Sequence, residues 1–286
     1  MFSSQKDRRF ALRQRILSVS GTTFEALALD LFQYQAQYNS LYASYLTHLR
    51  RNPALVQTLA DIPFLPISFF KTHLVRTSQE PGGLVFASSG TTGPTTSRHT
   101  VPDLPLYDAV CQRLFEATYG PLAGLDILAL LPTYLERNNS SLVYMVQRFM
   151  ALSGSAASGF FLNNHAALTA RLAELTRPPR AARRVLLMGV TFGLLDWLDQ
   201  TPAALDWLGR CPGLVVMETG GMKGRRREWL REEVHAELMA RLGVSAIHSE
   251  YGMTELLSQA YSTGAGVFRP GATLQVRLRE IGRAHV

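Results

Sequence analysis

The sequence predicts an α/β protein, a mostly parallel sheet flanked by helices, with a helical region at its N-terminal end. Two observations predict it. From residue 84 onward, short apolar runs alternate with longer segments of helical periodicity, the pattern of successive βα units. Before residue 80 the apolar residues recur at three- and four-residue spacing, which marks one face of a helix. A third observation bounds the alternatives. The 286 residues are 47% hydrophobic and 18% charged, a balance that buries a core in one large α/β domain or one domain plus a small subdomain.

In the first third, Thr22 and Glu25 have the spacing of a capping box. After them Phe24, Leu27, Leu31, Tyr34, Tyr38, Leu41 and Tyr45 form one apolar stripe, so a single long helix is expected, closed at Asn52-Pro53. Ile62-Pro63-Phe64-Leu65-Pro66-Ile67 reads as an extended connector, because each proline disfavours helix in the residue before it. Strands are expected at Leu84–Ser88, Asp126–Leu131, Val185–Val190, Leu214–Glu218 and Ala246–Ser249. Helices are expected at Leu106–Tyr119, Ser141–Ser153, Ala166–Leu175, Gly193–Leu198 and Arg226–Leu242, with Gly243 capping the last. Arg177–Arg184 reads as an exposed link between two βα units. Residues 1–80 are thus a helical region of the same domain, and 81–279 its core.

The net charge of +7 is carried mostly by arginine, the only lysines being Lys6, Lys71 and Lys223. The arginines are spread along the chain without a recognition motif, so no nucleic-acid partner is expected. Small anions such as nucleotides fit the charge equally well. Cys111 and Cys211 give neither a disulfide framework nor a metal spacing. No apolar run approaches the roughly 20 residues of a membrane helix. The polar start, Met1 to Phe10, lacks the core of a secretory signal. The expected setting is therefore cytoplasmic, with no membrane partner.

Three segments carry chemistry. The first is Ser88-Ser89-Gly90-Thr91-Thr92-Gly93-Pro94-Thr95-Thr96-Ser97, after a strand. Its glycines turn the backbone to present N–H groups to an anion, and its hydroxyls add donors that wrap phosphate oxygens. It lacks the closing Gly-Lys-Ser/Thr of a Walker loop, and the alternative is a flexible linker. The second is Glu250-Tyr251-Gly252-Met253-Thr254-Glu255. There a tyrosine can stack on a purine, a threonine can bond a phosphate, and a glutamate can hold Mg²⁺. The alternative is a turn with a buried tyrosine. The third is Glu218-Thr219-Gly220-Gly221-Met222-Lys223-Gly224, where bare backbone can lie against a flat ring. The alternative is a loop that needs positive φ. Among the histidines, His99, His165, His235 and His248 show no ligand spacing. His235 is expected on a helix surface, and His248 faces either an acyl pocket or the core. Glu136–Ser141 opens a helix, as an anion site or as ordinary capping.

Together the three segments resemble the adenylate-forming superfamily of acyl-CoA synthetases, luciferases and peptide-synthetase adenylation domains. Within it they are most similar to the acyl-protein synthetases of bacterial bioluminescence operons and to phenylacetate–CoA-ligase-like proteins. Leu65-Pro66-Ile67-Ser68-Phe69-Phe70-Lys71 and Leu131-Pro132-Thr133-Tyr134-Leu135-Glu136-Arg137 resemble further signatures of that group. The resemblance covers roughly residues 60 to 270. It implies the large domain of that fold and ATP with Mg²⁺ as cofactors. It also implies a carboxylic-acid substrate, fatty or other acyl, and a thiol acceptor on a protein cysteine or CoA.

The implied roles follow the motifs. Ser88, Ser89, Gly90, Thr91, Thr92, Gly93, Thr95, Thr96 and Ser97 would hold the departing pyrophosphate, with Arg98 neutralising its charge. Gly220, Gly221 and Tyr251 would hold adenine, and Thr219 and Gly252 would belong to the same nucleotide site. Thr254 would contact the α-phosphate and Glu255 would hold Mg²⁺. Tyr134, Phe192 and His248 would line the acyl pocket.

The chain departs from the family in three ways. Arg98-His99 follow Ser97 where the family usually carries lysine, and arginine is a different donor. No lysine follows Lys223, and no cysteine follows Cys211, whereas such enzymes carry a C-terminal lid lysine and, in the bioluminescence synthetases, an acceptor cysteine. Residues 280–286 read as translated sequencing adapter rather than protein sequence, the alternative being a natural short tail. The expectation is an enzyme core without its C-terminal lid domain. The rival class is a non-catalytic nucleotide-binding module.

Overall fold

The computed structural model describes residues 4–77, 82–88, 96–132, 139–177, 183–222, 224 and 226–278. The described residues divide into two compact units. The first comprises those of Met1–Val110, Thr254–Ser258 and Pro270–Val286, the second those of Cys111–Met253 and Gln259–Arg269.

The first unit opens with α1 (Gln5–Ser18), α2 (Phe24–Tyr38), α3 (Ser40–His48) and the short α4 (Phe69–Thr72). The expected single helix over residues 22–45 is two. Asn39 interrupts it with an extended backbone, φ −103° and ψ 103°. Its side chain accepts from the Tyr42 amide at 3.1 Å and so caps α3. An asparagine competes in this way for backbone partners that a continuous helix would use. The expected stripe holds only before the break: Leu27 and Tyr34 are buried, but beyond Asn39 the buried positions are Tyr42 and Leu46, one residue on from the expected Leu41 and Tyr45. Phe32, Tyr42 and Leu46 pack with Val56, Leu59 and Ile62, while Leu27 and Tyr34 pack with Leu12 and Val19. The expected capping box does not form. Thr23 is the residue before α2 and makes no side-chain cap, and Glu25 instead accepts from the Leu59 amide at 3.4 Å. The connector after Ile62 is non-helical as expected, and the hydroxyls of Tyr42 and Tyr45 donate to the carbonyls of Pro63 and Phe64 at 2.6 and 3.2 Å.

The unit ends in a hairpin. Strand β1 (Leu84–Ala87) pairs antiparallel with β2 (Arg98–Val101), Ala87 opposite Arg98. Helix α5 (Leu104–Tyr119) follows, its residues from Cys111 belonging to the second unit.

The second unit is α/β. Its elements are β3 (Leu125–Leu130), α6 (Ser141–Ser153), β4 (Gly159–Phe160), α7 (His165–Thr176), β5 (Arg184–Val190), α8 (Thr191–Gln200), β6 (Leu214–Thr219), α9 (Arg231–Leu242), β7 (His248–Tyr251) and β8 (Ala260–Ser262). With β9 (Arg269–Pro270) they form a seven-stranded sheet in the order β4-β3-β5-β6-β7-β8-β9. Every pairing from β4 to β7 is parallel, and β7–β8 is antiparallel. All six residues of β3 and six of the seven in β5 are buried, as central strands covered on both faces must be. On one face α5 meets α6 through Phe115 and Phe149, 4.9 Å between ring centroids. On the other, Arg241 of α9 donates to Asp199 of α8 at 3.0 Å.

Three further expectations need correction. The helix expected from Arg226 begins at Arg231, and Arg226 instead binds Asp196 and Asp199 of α8 at 2.5 and 2.7 Å. The link Arg177–Arg184 is not simply exposed. Arg183 donates to the buried Asp126 at 2.7 Å and to the carbonyls of Ala123, Leu125 and Ser153. Residues 178–182 lie outside the described set. His235 is not a surface residue. It is 6% exposed, 3.4 Å from the Ser249 hydroxyl and 3.5 Å from Glu218. Gly243 does cap α9 in the left-handed conformation. Among the described residues no helix is long and apolar enough to cross a membrane.

Candidate functional site

The first segment lies in the first unit. Ser89 to Thr95 fall outside the described residues, but the neck that presents them is defined. The Ser88 amide donates to the Ser97 carbonyl, and the Ser97 amide donates to the Ser88 hydroxyl, both at 3.0 Å. The two serines thus extend the β1–β2 ladder by one pair. Ser97 is buried, Thr96 half-buried and Arg98 exposed.

His99 continues β2 and makes a link that sequence reasoning missed. Its Nδ1–H donates to the Thr254 carbonyl at 3.0 Å, a bond that fixes the tautomer. Phe70 packs edge-on against its ring, centroids 5.1 Å apart. Burial pulls the imidazole below its ordinary pKa, against the Thr254 bond and the Glu255 charge, which favour the proton. No spacing rule finds this contact, because 155 residues separate the partners. His99 and Glu255 both border a cavity of about 630 Å³ in the first unit, whose wall includes Leu12, Phe32 and Leu106.

The other segments lie at strand ends in the second unit. Thr219 closes β6, and Gly220 follows with φ +77°, a conformation that suits glycine and few other residues. Gly221 has open space around it. In the register of β6 and β7, Glu218 lies opposite Ser249 and Thr219 opposite Glu250. Alternation along a strand therefore sends the two glutamates to opposite faces. Glu218 faces α8 and α9. It accepts from the Thr191 hydroxyl at 3.1 Å and from Arg231 Nε at 3.3 Å. The Thr191 hydroxyl also lies 3.3 Å from the Gly220 carbonyl.

Glu250 faces α5. Its Oε2 accepts from the Thr219 hydroxyl at 2.6 Å. Burial pushes its carboxyl up to about 7, with the Glu218 charge adding to the rise and the Thr219 bond opposing it. Gly252 lies close beside it: a Cβ there would stand 2.5 Å from Glu250 Oε1, so a side chain would make the carboxyl end shift. Tyr251 points the other way and is 43% exposed, which leaves ring surface for stacking. Its hydroxyl donates to Met253 Sδ at 3.1 Å, and its ring meets Phe268 edge-on at 6.0 Å.

The three residues assigned to an acyl pocket are not gathered together among the described residues. Tyr134 is outside that set. Phe192, buried on α8, borders a cavity of about 510 Å³ with Pro132, His165 and Gln200. His248 is not part of that wall. It packs on α5 instead, its Nδ1 3.2 Å from the Tyr119 hydroxyl, and burial pulls its pKa down. Ser140 caps α6, its hydroxyl accepting from the Val143 amide.

Among the described residues no group of three or more His, Cys, Asp or Glu side chains could hold a metal ion unaided. A lone carboxylate such as Glu255 fits Mg²⁺ of another kind, the ion that takes most of its ligands from nucleotide phosphates and water. No protein-family model matches the chain, and no curated protein matches it.

Proposed function

We propose that the protein activates a carboxylic acid with ATP. A carboxylate oxygen attacks the α-phosphorus, the bond from that phosphorus to the bridging oxygen breaks, and acyl-AMP and pyrophosphate form. The sulfur of a thiol on a protein or on CoA then attacks the acyl carbon, the bond from that carbon to the phosphate oxygen breaks, and a thioester forms with loss of AMP and the thiol proton. The observation that carries this reading is in the second unit. Two glycine-bearing turns, Thr219-Gly220-Gly221 and Tyr251-Gly252, close the carboxyl ends of adjacent parallel strands and are joined by the Thr219–Glu250 bond. Ligands bind at such strand ends in open α/β sheets. The order of the three segments along the chain supports the reading independently.

Displacement at phosphorus needs alignment and charge neutralisation more than covalent help. The bare backbone of Gly220-Gly221 and the exposed ring of Tyr251 suit a purine. The Ser88–Ser97 loop, with Arg98 beside it, suits the departing pyrophosphate. The Thr254 hydroxyl suits an α-phosphate oxygen. Mg²⁺ on Glu255 would offset phosphate charge. Hydroxylamine trapping tests the proposal. With ATP, Mg²⁺ and a panel of fatty, aromatic and small acids, at least one acid should give an ATP-dependent hydroxamate. Nucleotide binding without hydroxamate from any acid would identify a binding module instead.

A further inference from the structure

Glu250 belongs to none of the roles assigned above, yet it touches both strand-end turns. Its Oε2 holds the Thr219 hydroxyl at 2.6 Å, and its Oε1 lies against the Gly252 backbone so closely that a Cβ would stand 2.5 Å away. Gln259 approaches the same point, its Cγ 3.7 Å from that Cβ position. Gln259 and the cross-strand neighbour Tyr261 are 3% and 4% exposed, and Gln259 Oε1 and the Tyr261 hydroxyl have no hydrogen-bond partner among the described residues. A carboxyl set among unpaired polar atoms has partners to gain by rotating or by changing its proton.

We propose that Glu250 is a positioning residue, a buried strut that locks the Thr219–Gly221 turn to the Tyr251–Met253 turn so that the two hold one relative geometry. The inference rests on the adenylation reading for its purpose, and on the second unit alone for its geometry. The neutral carboxyl is the holding form. Among the described residues, the groups around it offer no cation to balance a carboxylate. On its own face they are Thr219 of β6, His248 of β7, Tyr261 of β8, and Cys111 and Tyr119 of α5. Burial lowers the pKa of His248. On the far face, Glu218 already takes Arg231. Burial favours the proton on Glu250 near neutrality, so ionisation at higher pH leaves a buried charge that the Thr219 hydroxyl alone does not offset and that the turns must move to solvate.

Glu250→Gln keeps the shape and stays neutral, Glu250→Ala removes the strut, and Thr219→Val removes the donor. The direct readout is hydrogen–deuterium exchange of the two turns without nucleotide, corrected for intrinsic pH dependence. Glu250→Ala and Thr219→Val should speed exchange at both turns together, about tenfold or more. Glu250→Gln should leave it unchanged. In the wild type the two turns should loosen together above about pH 7, and in Glu250→Gln they should not. The second readout is affinity for a fluorescent N-methylanthraniloyl ATP. It should weaken above neutrality in the wild type and stay flat in Glu250→Gln. Loosening confined to the substituted turn, or Glu250→Gln behaving like Glu250→Ala, would overturn the inference. If the alanine and valine variants do not fold, the pH comparison of wild type with Glu250→Gln decides by itself. Absence of nucleotide binding at every pH would sink the adenylation reading while the exchange data still decide this one.

Discussion

Glu250 is the residue at which burial and chemistry collide most sharply, and it makes the protein's stability depend on pH. Its folded pKa rises from 4.5 to about 7. Between those values the folded state holds a proton that the unfolded state has lost, so stability falls as pH rises. The contribution is fully present below about 4.5 and is lost through about 7, a change on the order of a few kcal/mol. Denaturant unfolding of wild type and Glu250→Gln across this range should show the slope in the first and a flatter curve in the second. Equal slopes would remove Glu250 as its source.

Gly252→Ala would force the Glu250 carboxyl or the turn to move, because the new Cβ would sit 2.5 Å from Oε1. It should lower stability by about 1–3 kcal/mol and weaken nucleotide affinity together, read by thermal unfolding and titration. Glu255→Gln should instead leave unfolding within about 0.5 kcal/mol of wild type, as a half-buried substitution of similar shape. It should also lower adenylation at least tenfold across a magnesium titration. At this scale the sequence pointed to candidate segments by residue type and spacing. It did not reveal their partners, since the His99–Thr254 and Thr219–Glu250 bonds join positions far apart in the chain.

At the scale of elements, periodicity reports a buried face and not continuity. That is why the stripe from Phe24 to Tyr45 read as one helix, although Asn39 turns the chain and caps a second. Asn39→Ala should cost about 1 kcal/mol through the lost cap, measured by denaturant unfolding, and Asn39→Ser should recover most of it. The central strands β3, β5 and β6 were legible within a residue or two, because burial on both faces writes an unbroken apolar run. Strands β2, β4, β8 and β9 were missed. They have two to four residues, too few to establish a period, and pairing rather than pattern makes them strands. Helix α9 starts five residues later than expected, at Arg231 instead of Arg226, where the backbone of Leu230 is extended and its amide donates to the Glu233 carboxylate at 2.7 Å.

At the scale of the whole molecule, the α/β class and mostly parallel sheet followed from alternation alone. The division into two units did not, because the described residues of segments 254–258 and 270–278 return to the first unit. That return places Thr254 and Glu255 in the unit that holds the Ser88–Ser97 neck, while Tyr251 and Gly252 stay with the sheet. A motif continuous in sequence is thus shared between two units, an arrangement no local spacing encodes. The central claim, that these segments adenylate a carboxylic acid, is tested most directly by isotope exchange between pyrophosphate and ATP. Exchange should need a carboxylic acid and Mg²⁺, should appear with at least one member of a broad acid panel, and should fall at least tenfold in Glu255→Gln. A folded protein that binds ATP yet shows no exchange with any acid, or exchange that does not depend on the acid, would contradict the claim.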